Sequence, residues 1–275
     1  MTLNCRGQLI DLARTQVMGI LNITPDSFYD GGTYQNERSI LDHTEKMLKD
    51  GATFIDVGAY SSRPGAKDIS ESEELQRIVP VVGLLLQNFP GIILSIDTFR
   101  SKVAEECLQA GATVINDISA GERDQEMMPT VAKYNAPYIL MHMRGNPNTM
   151  QQHTNYENLL IDIIKYFSGR IAVARSLGLI DLIIDPGFGF AKTASQNFEL
   201  LNGLALFQNL KLPILTGLSR KSMIYKTLNI TAEEALNGTT ALHMVALMKG
   251  ANILRVHDVK EAVECIKLAE QLKAE

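Results

Sequence analysis

The sequence predicts a closed barrel of eight parallel strands alternating with helices, a (β/α)8 TIM barrel, on three observations. Short apolar runs rich in β-branched residues recur eight times between Gln16 and Val256. Each is followed by a polar cluster and then by a longer stretch with helical spacing. The chain has 275 residues, a usual length for this barrel. Strands separated by helices run parallel, and apolar runs without strict alternation have both faces covered. An open doubly wound sheet is the alternative, but it commonly has about five or six strands. It would also carry a GxGxxG turn after its first strand, where this chain reads GILNITPDSF.

In chain order the strands are read at Gln16 to Leu21, Thr53 to Val57, Ile92 to Ile96, Thr113 to Asn116, Pro137 to Met141, Leu182 to Asp185, Pro213 to Thr216 and Asn252 to Val256. The helix after the first strand shows its buried stripe in Ile40, Leu41, Thr44, Met47 and Leu48, with Gly51 as its stop. Ser70 with Glu73, Thr231 with Glu234, and Asp258 with Glu261 have the spacing of a capping side chain three residues ahead of a Glu. No Pro-, Gly- or Ser-rich linker interrupts the pattern, so residues 1–275 read as a single domain.

Composition narrows the function. The chain is 45% hydrophobic and 21% charged, the balance of an ordinary globular protein. Lys and Arg number 26 against 31 Asp and Glu, a formal charge of -5. That leaves no basic field for nucleic acid or an anionic membrane, so any anion must be held locally. Cys5, Cys107 and Cys265 are far apart and in no metal spacing, which points to a reducing compartment. The N-terminus lacks a signal-peptide apolar region, and the longest apolar run, around Val79 to Leu86, is too short to span a bilayer. The expected location is the cytoplasm. There is no GxSxG elbow, HExxH helix or GxxxxGK[ST] loop, and neither Cys5 nor Cys265 is expected at a strand end. His43, His153 and His243 sit in or beside helical stretches and read as packing or surface residues, and Met127 and Met128 as core filler.

Side chains at the C-terminal ends of barrel strands converge on one mouth. Those ends carry Asn22, Asp56, Asp97, Asn116, Met141 with His142, Asp185, Gly217 with Ser219, and Arg255 with His257. A lone Asp after a strand is ordinarily a helix N-cap, and Asp56 and Asp97 each admit that reading. Asp97, Asn116 and Asp185 together do not, because they would point inward as buried acceptors in need of donors. A flat heterocycle with several N–H groups on one edge would supply them. Lys221 could face the carbonyl side of the same ring.

Arg63, Arg220, Lys221, Arg255 and His257 also fall after strands, where with helix N-termini they form a local trap for phosphate. Asn22, Asp26 and Asp30 offer hard oxygen ligands for Mg²⁺ beside such a phosphate, although Asp26 would serve equally to shape a turn. Phe28, Pro64 and Phe190 are apolar residues in polar loops; they wall an aromatic second substrate or pin their loops to the barrel.

These motifs resemble those of the dihydropteroate synthase family, a group of pterin-binding TIM barrels. NITPDSF, SSRPGA, SIDTFR, INDISAG, DPGFGFAKT, GLSRKSMI and RVHDV occur in the family's order, from Met18 to Val259. The resemblance implies a (β/α)8 barrel, usually a homodimer. It would condense 6-hydroxymethyl-7,8-dihydropterin diphosphate with p-aminobenzoate to 7,8-dihydropteroate and pyrophosphate, with Mg²⁺, in folate biosynthesis. Carried over by motif, Asp97, Asn116, Asp185, Lys221, Met141, Phe190 and Gly217 would hold the pterin. Asn22, Ser62, Arg63, Arg255 and His257 would receive the diphosphate, with Mg²⁺ at Asn22 and Asp30. Phe28, Ser62, Pro64, Phe190, Lys221 and Ser222 would surround p-aminobenzoate. The catalytic roles would fall to Asp97, Lys221 and Arg63.

The resemblance also implies a mechanism that needs no nucleophilic side chain. Diphosphate would leave first from the pterin methylene, and electrostatics would carry the catalysis. Two departures stand out: GAYSSRPG where the family commonly has GGESTRPG, and GFGFAK where it has GFGFGK. Tyr60 thus replaces an acid beside the p-aminobenzoate loop, which bears on sulfonamides that imitate that substrate. The rival readings are a pterin-dependent corrinoid methyltransferase of the same barrel type, which has no need of RVH or SRPG, and a non-catalytic pterin-binding homologue.

Overall fold

The computed structural model describes residues 1–23, 33–60 and 68–273. All eight runs read as strands pair in one parallel sheet: β3 (Gln16–Asn22), β4 (Phe54–Gly58), β5 (Leu94–Asp97), β6 (Val114–Asp117), β7 (Tyr138–Met141), β8 (Leu182–Asp185), β9 (Leu215–Thr216) and β10 (Ile253–Val256). Their order is β8-β7-β6-β5-β4-β3-β10-β9. A parallel bridge between Ile184 and Ile214 closes the ring. Only two residues of β9 pair as a strand. Pro213 has no N–H for the ladder, though its carbonyl accepts from the Ile184 N–H at 3.0 Å.

Helices cover the outside: α1 (Thr33–Lys49), α2 (Glu71–Asn88), α3 (Ser101–Ala110), α4 (Met127–Lys133), α5 (Leu159–Ser176), α6 (Ala194–Asn202), α7 (Ser222–Leu228), α8 (Leu236–Met248) and α9 (Val259–Lys273). Two of them, α7 and α8, follow β9. Ser70 caps α2 as expected, accepting from the Glu73 N–H at 3.1 Å. The other two expected caps differ. Helix α8 starts at Leu236 after Ala235, so Thr231 caps no helix; its N–H donates to Glu234 in the preceding turn. Asp258 precedes α9, but its carboxylate is taken by Arg220. A bidentate guanidinium is a stronger partner than a backbone N–H.

The sequence reading also left out a β-hairpin, β1 (Thr2–Cys5) and β2 (Gln8–Asp11). Its turn residues Arg6 and Gly7 both have positive φ, 54° and 92°, the backbone of a type I′ turn. Cys5 therefore does end a strand, although not a barrel strand. Leu3, Cys5, Ile10 and Leu12 pack on Met18, Phe54, Ile93, Val114, Ile139, Ile183, Leu215 and Ile253. Each of the eight barrel segments gives one residue to that floor, so the hairpin plugs the N-terminal end.

Side chains alternate along a strand with period two. Two residues above the floor, the inward positions are Ile20, Asp56, Ser95, Asn116, Met141, Asp185, Gly217 and Arg255. Above these come Asn22, Gly58, Asp97, Ile118, Met143, Gly187, Ser219 and His257. The positions between face the helices, and Val17, Ile55, Ile96, Ile115, Leu140, Ile184 and Leu254 lie in the main apolar core. An apolar floor thus carries a polar mouth.

Candidate active site

The mouth holds one cavity, lined by Asp97, Asn116, Ile118, Met141, Asp185, Phe188, Phe190, Gly217, Lys221 and Arg255. All seven residues expected to hold a pterin are among them. The cavity measures about 60 Å³, far below the ~300 Å³ of an ordinary ligand pocket. Arg255 reaches across it. Its Nε donates to Asp56 Oδ2 at 2.6 Å and its Nη2 to Asp97 Oδ2 at 2.7 Å.

Asp56 is the hub of this network and is not an N-cap. It is fully buried and accepts from Ser95 Oγ at 2.5 Å and Asn116 Nδ2 at 3.1 Å besides Arg255. With its amide nitrogen donating to Asp56, Asn116 presents Oδ1 as its accepting end, which is what a ring N–H requires. The available signal is the two-residue period counted on from Phe54 and Ile93, which puts Asp56 and Ser95 inside the barrel. The capping habit of Asp concealed it.

The electrostatics follow from burial. Burial raises the Asp97 carboxyl to about 7; Arg255 opposes the rise and Asp56 adds to it. Asp185 is raised for the same reason, against the Gly187 N–H, which its Oδ1 accepts at 2.8 Å, and the positive Lys221 and Arg255. Two acids and an amide therefore face a small pocket that Lys221 and Arg255 also line. Lys221 ends the turn before α7, with Nζ 4.5 Å from the centre of the Phe190 ring.

The segment after β5 is fixed from outside the pocket. Glu74 on α2, fully buried, accepts from Thr98 Oγ1 at 2.7 Å and pairs with Arg100. Tyr60, at the position where the family pattern has an acid, packs edge-on to Phe99 at 5.1 Å, with the Arg100 guanidinium 5.6 Å from its ring. An aromatic contact therefore stands where a charge was expected.

Of the residues expected to meet phosphate, Arg255 lines the cavity and His257 stands at the same strand end above it. His257 is exposed at the rim, with Nδ1 3.0 Å from Ser219 Oγ. Partial loss of water around the ring lowers its imidazole, and the positive Arg255 adds to the fall. Arg220 does not join the trap. Its guanidinium clamps both oxygens of Asp258 at 2.9 and 2.8 Å and donates to the carbonyls of Ala232 and Glu233. These four bonds take four of its five N–H donors, leaving at most one for a phosphate.

Asn22 ends β3, half-buried, and Ser222 opens α7 beside Lys221. Asp26, Phe28, Asp30, Ser62, Arg63 and Pro64 lie outside the described residues. Among the described residues no three His, Cys, Asp or Glu side chains gather as a metal site, leaving Asn22 as the one expected ligand in view. The cysteines are buried and unpaired, with the Cys5 and Cys107 thiols pushed up to about 12 mainly by burial. No described helix is long and apolar enough to cross a membrane.

Comparison with known proteins agrees with the geometry. The pterin binding enzyme family matches residues 18–257. The dihydropteroate synthase of Escherichia coli (strain K12) is 44% identical over 272 residues, 98% of this chain and 96% of that protein. The Yersinia pestis dihydropteroate synthase, solved as a sulfonamide drug complex, superposes with a TM-score of 0.93 at 44% identity over the whole of both chains. The Xanthomonas albilineans enzyme with 4-aminobenzoic acid gives 0.92 at 36%, over 100% of this chain and 98% of that one. By the matched family, the near full-length identity and the shared barrel, the chain belongs to the pterin-binding enzymes and, among them, to the dihydropteroate synthases.

Proposed function

We propose that this chain, as a single domain over residues 1–275, is a transferase that joins 6-hydroxymethyl-7,8-dihydropterin diphosphate to p-aminobenzoate, releasing pyrophosphate and 7,8-dihydropteroate. The observation that carries this reading is that Asp97, Asn116, Asp185 and Lys221 line one cavity which Arg255 closes. Asp185 and the Asn116 Oδ1 accept from the ring N–H groups, and Lys221 faces the ring carbonyl. Met141, Phe190 and Gly217 supply the flat apolar walls.

Catalysis is by charge placement. As the bond from methylene to diphosphate breaks, positive charge spreads over the dihydropterin, and Asp97 stabilises it in a low-dielectric setting. Arg255 is shared between Asp97 and the diphosphate; shifting toward the leaving group frees the Asp97 carboxylate as the cation develops. His257 at the rim and Asn22, with Ser62 and Arg63, complete the diphosphate site. p-Aminobenzoate lies between Phe190 and Lys221, with Phe28, Ser62 and Pro64 as its remaining wall and its carboxylate toward Ser222. Its amine attacks the methylene held within reach. Sulfonamides occupy that place.

Mg²⁺ fits the donor chemistry at Asn22, since this ion keeps waters and phosphate oxygens and needs few protein ligands; Asp30 is the proposed second ligand. When bound, it neutralises charge on the departing diphosphate. The working form is a cytoplasmic homodimer. Buried reduced cysteines support the compartment. On helix α8 the apolar Val245 and Met248 are exposed, which supports a subunit contact that sedimentation tests directly.

The deciding assay follows pyrophosphate release from the pterin diphosphate with Mg²⁺, with and without p-aminobenzoate, and isolates dihydropteroate. Release without dihydropteroate would leave a hydrolase, and no release would remove the reading altogether.

A further inference from the structure

Behind the Phe190 wall lies a buried charge that the proposed chemistry does not use. Lys192 is 3% exposed. Its ammonium donates to the carbonyls of Gly187 and Phe190, both at 2.9 Å, and lies 3.1 Å from His142 Nδ1. Three N–H groups meet three acceptors, so the group is saturated, yet no carboxylate touches it. A buried ammonium without a direct counter-ion is expensive, and here it is the donor that two buried carbonyls depend on.

The surrounding backbone is shaped around that ammonium. Gly187, Gly189 and Ala191 alternate in the left-handed region at φ 71°, 84° and 49°, which is costly at the alanine, by about 1 kcal/mol. The Gly187 and Phe190 carbonyls converge on the ammonium. The same turn carries Phe190 into the cavity, and its Gly187 N–H fixes Asp185. His142 touches it a second time, because a Cβ on Gly187 would stand 2.1 Å from the His142 carbonyl oxygen.

We infer that Lys192 is a positioning residue for the reaction: its ammonium, with His142 as third acceptor, clamps the turn after β8 so that Phe190 and Asp185 meet the two substrates in fixed register. The inference rests on the assignment of Phe190 and Asp185 to the ligand site.

The clamp has a built-in pH limit. Burial lowers the Lys192 amine to about 7; Asp185 counters the fall, while Lys221 and Arg144 add to it. His142, lowered well below its usual value by burial first and then by Lys192 and Arg144, stays a neutral acceptor while the lysine is charged. A neutral amine has two N–H groups, enough for the two carbonyls, and meets His142 only as an acceptor from its other tautomer; the charge-assisted bonds become weaker neutral ones, so raising the pH through about 7 loosens the turn.

The test is steady-state kinetics of the full-length enzyme across the neutral to alkaline range. In the wild type, KM for p-aminobenzoate is expected to be flat below about pH 7 and to rise above it, while kcat changes little. Lys192→Met keeps the length and removes the charge. It is expected to lower kcat/KM by about 10- to 100-fold, mainly through KM, and to abolish the alkaline rise. Wild-type constants, or an unchanged alkaline rise, in a folded Lys192→Met enzyme would overturn the inference.

Should that variant fail to fold, the wild type still decides. Carbon-13 NMR of the lysine ε-carbons must show one lysine titrating together with the rise in KM, and its absence overturns the inference equally. Phe190→Ala and Asp185→Asn serve as controls: if neither weakens ligand binding, the site assignment itself has failed.

Discussion

At the scale of single residues, the mouth works because each acid has a defined partner. Asp185 accepts a backbone N–H at Oδ1, which leaves further lone pairs of the carboxylate for ligand. Asp185→Ala is expected to weaken binding of both the pterin diphosphate and the free hydroxymethyl pterin by roughly 100-fold, the loss of a charge-assisted bond. Arg255→Ala should weaken mainly the diphosphate. Calorimetry with the two ligands separates these outcomes, and equal losses in both variants would contradict the division of roles. Asp56→Ala differs in kind. It strands Arg255, Asn116 and Ser95 around a buried gap, and about 3–5 kcal/mol of stability should go with it, seen as a lower urea midpoint together with lost pterin affinity. Asp56 shows what a motif cannot convey. Its place in FIDVG was legible, but its role depended on which face of the strand it occupied.

At the scale of elements, the turns after the strands carry the specificity while the strands hold them apart. The turn after β8 tolerates no side chain at its first glycine, where φ is 71° and a Cβ would meet the His142 carbonyl at 2.1 Å. Gly187→Ala should therefore cost ~3 kcal/mol or more, since backbone strain and overpacking add. Because the turn carries Phe190, thermal stability and pterin affinity should fall together; a variant stable and fully active would show the turn to be softer than its geometry. The hairpin at the other end is the counter-case. Leu3, 1% exposed on the barrel floor, should lose about 2–5 kcal/mol on Leu3→Ala with both KM values unchanged. The eight strands could be read from apolar runs. The hairpin could not, because TLNC and QLID are too short to show a period, and only the floor they cover makes them strands.

Across the whole molecule, stability and pH are linked through groups buried in their neutral form. His243 on α8 is 2% exposed, its Nε2 has no partner among the described residues, and its imidazole is lowered to about 4 mainly by burial. The unfolded chain takes up a proton near 6.5 and the folded one only near 4, so the unfolded state binds more protons between those values. Stability is then complete above about 6.5 and falls as the pH drops through the window, by up to ~3 kcal/mol. Denaturation of wild type and His243→Gln at a series of pH values should show the wild type losing this increment relative to the variant. A constant difference would place the histidine in contact with water. Asp97 works in the opposite direction. Its raised carboxyl makes protonation on the way from 7 toward 4 favourable to the folded state, which is why the comparison with the variant is needed.

The sequence by itself determined the strand runs, the helix stripes, the converging polar strand ends and the family, because these follow from periodicity and from ordered motifs that survive in one dimension. Only the tertiary structure decided which charges face the ligand. Arg220 and Arg255 look alike in SRKS and RVHD, yet one is spent on Asp258 and the other spans the pocket between Asp56 and Asp97. The reason is that a charge is assigned by its nearest partner in space, and closing the barrel brings Arg255 against Asp56, 199 positions away in the chain. Lys192 belongs to the same class. Its role comes from three acceptors gathered by the turn after β8 and the end of β7, an arrangement that exists only once the chain is folded.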